Sequence, residues 1–148
     1  MKLLAVVVPA LALTSVICQG SPTDDKAFTD KYKQAFEAKD TNALNSLLYT
    51  TGADPNIVSF FQMAMSMEAG NKISKIDLVA LTPEEAAKAA GPQDSPDGSK
   101  VCLPLKPTKK LIVQVATKDA DSSSNSTTQH LVAEKDGKLV IPVPGPCK

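Results

Sequence analysis

Two runs of alternating apolar residues, the second broken by an Asp-Gly pair, limit what this chain can fold into more than anything else in it. Between Thr108 and Lys118, Leu111, Val113 and Val115 alternate with Ile112, Gln114 and Ala116. From His130 to Ile141 a second alternation is interrupted by Asp136-Gly137. A two-residue period is that of a strand with one face buried, and Asp-Gly supplies the positive backbone angles of a tight hairpin turn. The stretch Thr108 to Val143 therefore predicts consecutive β-hairpin arms, and the segments upstream read as cover for one face of the sheet.

The N-terminus has a different character. Met1-Lys2 precedes an apolar run, Leu3 to Ala12, that is too short to span a bilayer as a helix. Cys18 and Gly20 occupy the two positions a signal peptidase reads, which predicts a signal peptide at residues 1–20 and one domain at 21–148. An uncleaved anchor is the alternative. Cys18 also admits lipidation as in a bacterial lipoprotein, although Ile17 stands where a small residue is usual. No second run of membrane length follows, so the expectation is a secreted or periplasmic chain without a transmembrane segment. Loss of the leader removes Lys2 from 16 basic residues, leaving 15, all lysine, against 16 Asp and Glu. A near-neutral chain without arginine is poorly suited to phosphate backbones, so nucleic acid is not expected as a partner.

Cleavage also leaves two cysteines, Cys102 and Cys147. An even pair in an exported chain predicts a disulfide, with two free thiols as the alternative. It would close a loop of about 46 residues, and the chain-entropy model assigns such a loop about 4 kcal/mol.

Upstream, Phe28, Tyr32 and Phe36 recur every four residues and predict an amphipathic helix over 25–39. Asp40 and Thr41 cap a second helix in which Ala43, Leu44, Leu47 and Leu48 form one stripe. Asp54-Pro55 opens a third and Gly70 closes it, with Ile57, Val58, Phe60, Phe61, Ala64 and Met65 between, so burial of most of this helix is expected. Ile73 to Leu81 reads as a strand. Thr82-Pro83-Glu84-Glu85 is a capping box for a short helix that Gly91-Pro92 stops. Val101 to Leu105 is strand-like, but Pro104 restricts it to an edge or bulge. Asp119 to Ser126 reads as a polar loop. Pro142, Pro144 and Pro146 are expected to end strand pairing. Helices segregated from antiparallel strands predict an α+β domain: N-terminal helices packed on a curved antiparallel sheet with a closing β-hairpin.

Tyr32 to Leu44, with its helix, acidic break and Ala43-Leu44, and His130 to Ile141, with Asp136-Gly137-Lys138 before the last strand, resemble the first two helices and closing hairpin of the nuclear transport factor 2-like superfamily. The resemblance extends over about residues 25 to 143. It implies a cone in which a curved sheet wraps an N-terminal helix. Leu139 stands where the family usually has an aromatic residue, and Val101 to Pro107 is rich in proline for an interior strand. The family includes isomerases, cyclases and dehydratases as well as non-catalytic binding and assembly domains, and fold alone does not choose among them.

Few residues suggest chemistry. His130 shares a strand face with Thr128, Val132 and Glu134, opposite Leu131 and Ala133, and is read as facing solvent. Met63, Met65 and Met67 have thioethers suited to Cu(I), but a helix sends Met65 away from the other two, so core packing is the expectation and no metal is assigned. Tyr32, Tyr49, Asp40 and Asp77 are the residues from which the resemblance would build a polar pocket; by their own spacing Tyr32 reads as core and Asp77 as solvent-facing. Asn125-Ser126-Thr127 is a glycosylation sequon. No catalytic residue, ligand-binding residue or cofactor is assigned. The expectation is an exported non-enzymatic domain that binds a small apolar ligand or a protein partner, or self-associates, through a concave sheet. A small isomerase or cyclase of the same fold, and a structural envelope or interaction protein with an exposed apolar patch, are the alternatives.

Overall fold

The computed structural model describes residues 22–95, 98–119 and 122–147. The expected leader, its cleavage site and Cys18 lie outside them. The domain is α+β, with helices α1 (Pro22–Glu37), α2 (Thr41–Asn45), α3 (Pro55–Met67) and α4 (Pro83–Ala90). The strands are β1 (Leu48–Tyr49), β2 (Lys72–Ala80), β3 (Gln93–Asp94), β4 (Lys100–Cys102), β5 (Lys109–Asp119), β6 (Ser122–Lys135), β7 (Lys138–Pro142) and β8 (Gly145–Pro146).

Local chemistry accounts for the punctuation. Lys39 adopts a positive φ of 56° where α1 ends, and Asp40 then caps α2 by accepting from the Ala43 amide. Asp54 accepts from the Asn56 and Ile57 amides, and Pro55 occupies the first turn of α3, where a missing N–H costs nothing. Gly70, at φ 100°, turns the chain after α3 and donates its amide to the Phe36 carbonyl. Thr82 and Glu85 exchange side-chain and backbone hydrogen bonds in a complete capping box. Asp136 and Gly137 both have positive φ, 52° and 73°, as the two-residue turn joining β6 to β7 requires.

The main sheet has five strands in the order β1-β7-β6-β5-β2. It is mixed rather than wholly antiparallel, because β1 runs parallel to β7. This corrects the reading of Leu47 and Leu48 as the end of a helical stripe. After five residues α2 stops, and Leu47 and Tyr49 instead accept backbone hydrogen bonds from Ile141 and Val143. The segment 119–126, read as a polar loop, is largely strand: β6 starts at Ser122 and pairs with β5 residue for residue up to Val132. Backbone pairing with an adjacent strand prevails there over a polar composition that by itself favours a loop.

A second, three-stranded sheet, β3-β4-β8, stands beside the first. It absorbs part of Val101 to Leu105, ending before Pro104. It also pairs Gly145–Pro146, so Pro142, Pro144 and Pro146 do not end strand pairing as expected. The Cys102–Cys147 disulfide, with Cα atoms 4.9 Å apart, ties β4 to the segment after β8. Gly145 passes so close to the 52–53 backbone that a Cβ would lie 2.0 Å from the Gly52 carbonyl oxygen.

The core lies between α1, α2 and one face of the main sheet. Phe28, Tyr32, Phe36 and Leu44 meet Leu111, Val113, Val115, Val132, Ile141 and Val143 in one buried cluster. That face is filled by the protein's own side chains.

Candidate functional site

The four-residue spacing in α1 puts Tyr32 on the stripe that faces the sheet, 1% exposed, with its ring stacked on Phe36 at 5.9 Å. Directly opposite residues on paired strands project to the same side of a sheet. His130 lies opposite Leu111, and Thr128 opposite Val113. Leu111 and Val113 are core residues, so His130 and Thr128 also face α1. The expectation that His130 faces solvent is therefore corrected. Its grouping with Thr128 and Val132 holds, but Val132 and Ala133 are both fully buried, so β6 is covered on both faces and its alternation does not mark which one is outside.

Tyr32 Oη and His130 Nε2 are 3.2 Å apart, and the two rings meet at 5.9 Å with a 48° tilt. Glu68, just past α3, accepts a hydrogen bond from Thr128 Oγ1 at 3.2 Å. Burial pushes the Tyr32 hydroxyl well above the usual phenol range, and the Glu68 charge adds to the rise. Burial lowers His130 to about 4, against the opposing pull of Glu68. Near neutral pH the pair is thus a phenol and an uncharged imidazole, neither of which exchanges a proton readily there.

On the opposite side of the sheet, a cleft of about 540 Å³ lies between α4, β3 and the outer side of β5 and β6, where Gln129 and Leu131 flank His130 in the strand. Leu81, Ala89, Pro92 and Leu131 supply its apolar lining. Lys110 forms an ion pair with Glu85 at its edge, and this bond, followed by the amide of Thr82, holds the Glu85 carboxyl below its ordinary range.

α3 departs from the burial expected of it. Met65 is 4% exposed, whereas Phe60, Met63 and Met67 are 51%, 53% and 75% exposed. Spaced three and four apart, these three form a stripe along one side of the helix. Ile57, Phe60 and Phe61 continue the surface into a groove of about 310 Å³ bounded by Val101 and Pro144. No charged residue occurs between Pro55 and Met67. That lack of charge was visible in the sequence and read as burial.

The other singled-out residues are dispersed. Asp40 is spent on its cap, Tyr49 lies in β1, and Asp77 makes a surface ion pair with Lys75 at 2.8 Å. Asn125 is exposed on β6 opposite Ala116. Among the described residues, no group of three or more His, Cys, Asp and Glu is arranged to hold a metal ion, and no helix is long and apolar enough to cross a membrane. Reading by spacing missed the Tyr32–His130–Glu68 grouping, because its members come from three elements and no local pattern links them.

No protein-family model and no curated protein matches the chain. Among solved structures, the helical cell shape determining protein Pgp2 from Campylobacter jejuni is similar, with a TM-score of 0.42 and 13% identity over 78% of this chain. The match covers 37% of Pgp2, so this chain spans little more than a third of its length.

Proposed function

We propose that this is an exported, non-enzymatic interaction domain, of nuclear transport factor 2-like build, that holds a protein partner on the outer face of α3. One observation carries the proposal: Phe60, Met63 and Met67 form an exposed apolar stripe on a helix without charge, continuous with an apolar groove. A monomer gains nothing from leaving such a surface in water, and Met side chains repack readily against varied apolar partners. The partner is a protein segment whose contacting side chains are apolar and uncharged, since α3 offers nothing to neutralise a charge. Export is supported by the leader-like N-terminus and by the disulfide, which suits an oxidising compartment. The non-enzymatic part is supported by the neutral, mutually bonded Tyr32 and His130. The superfamily build is supported by the N-terminal helices, α1 foremost, that pack on one face of the main sheet.

A photo-crosslinking amino acid at Met63, introduced in the producing cell, tests this. The expected result is one discrete crosslinked protein, absent when the same group replaces Lys88 and lost when Phe60→Ser and Met67→Ser are added. Purified with this domain, that protein binds it, and the same substitutions abolish binding. Crosslinking no greater at Met63 than at Lys88 overturns the proposal.

A second reading, a small ligand, is favoured by the 540 Å³ cleft beside α4, whose lining mixes Leu81, Ala89 and Leu131 with Lys88, Asp94 and Gln129. Native mass spectrometry of the exported protein separates the two: a co-purifying small molecule that Leu131→Glu removes supports the cleft.

A further inference from the structure

β2 is an outer strand of the main sheet, and its hydrogen-bonding pattern reveals which of its backbone groups face outward. The Leu81 amide donates to the Thr108 carbonyl at 3.0 Å, so 81 and 108 are a bonded pair in the antiparallel register. Bonded and non-bonded pairs alternate along such a ladder. Residues 79, 77 and 75 therefore turn their backbone groups toward β5, and Ile76, Leu78 and Ala80 turn theirs away from the sheet. The register shifts at Ser74, after which Ile73 points outward, and Glu37 Oε1 accepts its amide at 3.0 Å. α1 thus seals one end of the edge and leaves the rest open. Among the described residues no strand pairs with that side.

We infer that this edge pairs with the same edge of a second copy, antiparallel and centred on Ile76, joining two five-stranded sheets into one. The charges select the register. Centring on Asp77 would set that carboxylate against itself, and centring on Leu78 would set Asp77 against Val79 and Lys75 against Leu81. Centring on Ile76 sets Lys75 against the partner's Asp77 and Asp77 against the partner's Lys75. It also brings the outward backbone groups of Ile76 opposite those of the partner's Ile76, and the shift at Ser74 confines regular pairing to the strand around that residue. On the other face, Ile76 and Leu78 are only partly buried where they adjoin the core. Ile76 would meet its own copy and close the core at that edge. A twofold contact of this kind uses each pairing twice. With 15 lysines against 16 acidic residues after loss of the leader, the near-zero net charge raises no long-range barrier to association.

The test is the dimer dissociation constant of the exported protein, measured by sedimentation or native mass spectrometry. The wild type is expected to dimerise. Asp77→Lys and Lys75→Asp each place like charges opposite one another twice and weaken the dimer about tenfold or more. Both side chains are exposed, 39% and 61%, so folding is unaffected and circular dichroism checks it. An equimolar mixture of the two variants regains wild-type affinity, as does the double exchange Lys75→Asp with Asp77→Lys. A protein monomeric at every concentration, or a dimer indifferent to these changes, overturns the inference. If Met63→Glu and Met67→Glu dissociate the dimer instead, the two copies meet on α3. The β2 contact is then wrong, and α3 remains an interaction surface with the second copy as its partner.

Discussion

Tyr32 Oη and His130 Nε2 lie 3.2 Å apart although 98 residues separate them in the chain. The bond joins the middle of α1 to the middle of β6 at the edge of the apolar core, next to the hydrogen-bonded Thr128 and Glu68. Tyr32→Phe keeps the packed ring and removes only the hydroxyl, leaving the imidazole nitrogen without its partner. The expected loss is about 1–2 kcal/mol of unfolding free energy, read by urea denaturation at neutral pH. An unchanged midpoint would mean that water replaces the bond at no cost.

The same pair makes stability depend on pH. His130 binds a proton near 6.5 in the unfolded chain and near 4 in the folded one, lowered by burial while Glu68 opposes the shift. Between those values the unfolded chain holds more protons, so stability is complete above about pH 6.5 and falls as the pH drops toward 4. The loss attributable to His130 is about 3 kcal/mol, and His130→Gln should flatten that part of the profile. The raised Tyr32 acts at the other end: its contribution is present below about pH 10 and is lost as the pH rises further. Denaturation midpoints of the wild type and His130→Gln from pH 4 to pH 8 check the acid limb.

One residue type should behave in opposite ways along α3. Met65→Ala empties a filled core position and should cost about 2–5 kcal/mol, whereas Met67→Ala removes a solvent-facing side chain and should change stability by no more than about 0.5 kcal/mol. Thermal or urea melts of the two variants measure the contrast. Equal losses would mean that Met67 is covered in the isolated protein.

Reduction should act locally before it acts globally. The Cys102–Cys147 bridge closes a long loop whose ends lie at the small sheet, and its removal should lower stability by roughly 4 kcal/mol in the chain-entropy model. In Cys102→Ser with Cys147→Ser, amide exchange should quicken first in β4 and β8, with β5 and β6 still protected. Uniform quickening would tie the small sheet to global unfolding instead.

What the sequence determined by itself was what neighbouring residues decide among themselves. Asp54-Pro55, the Thr82–Glu85 box, the Asp136-Gly137 turn and the spacing of Phe28, Tyr32 and Phe36 each act within one or two turns of chain, so their outcome could be read in order. The α+β class followed from them, and Cys102 and Cys147 were readable as the disulfide pair. Tertiary structure decided which side of each element meets water. β6 is covered on both faces, so its alternation could not tell that His130 turns inward. Leu48 and Tyr49 left a helical stripe because β7 offered backbone partners. α3, apolar enough to be buried, is packed on one side only. Burial and strand pairing are set by groups distant in sequence, and the proposed interaction surfaces on α3 and β2 are what that packing leaves uncovered.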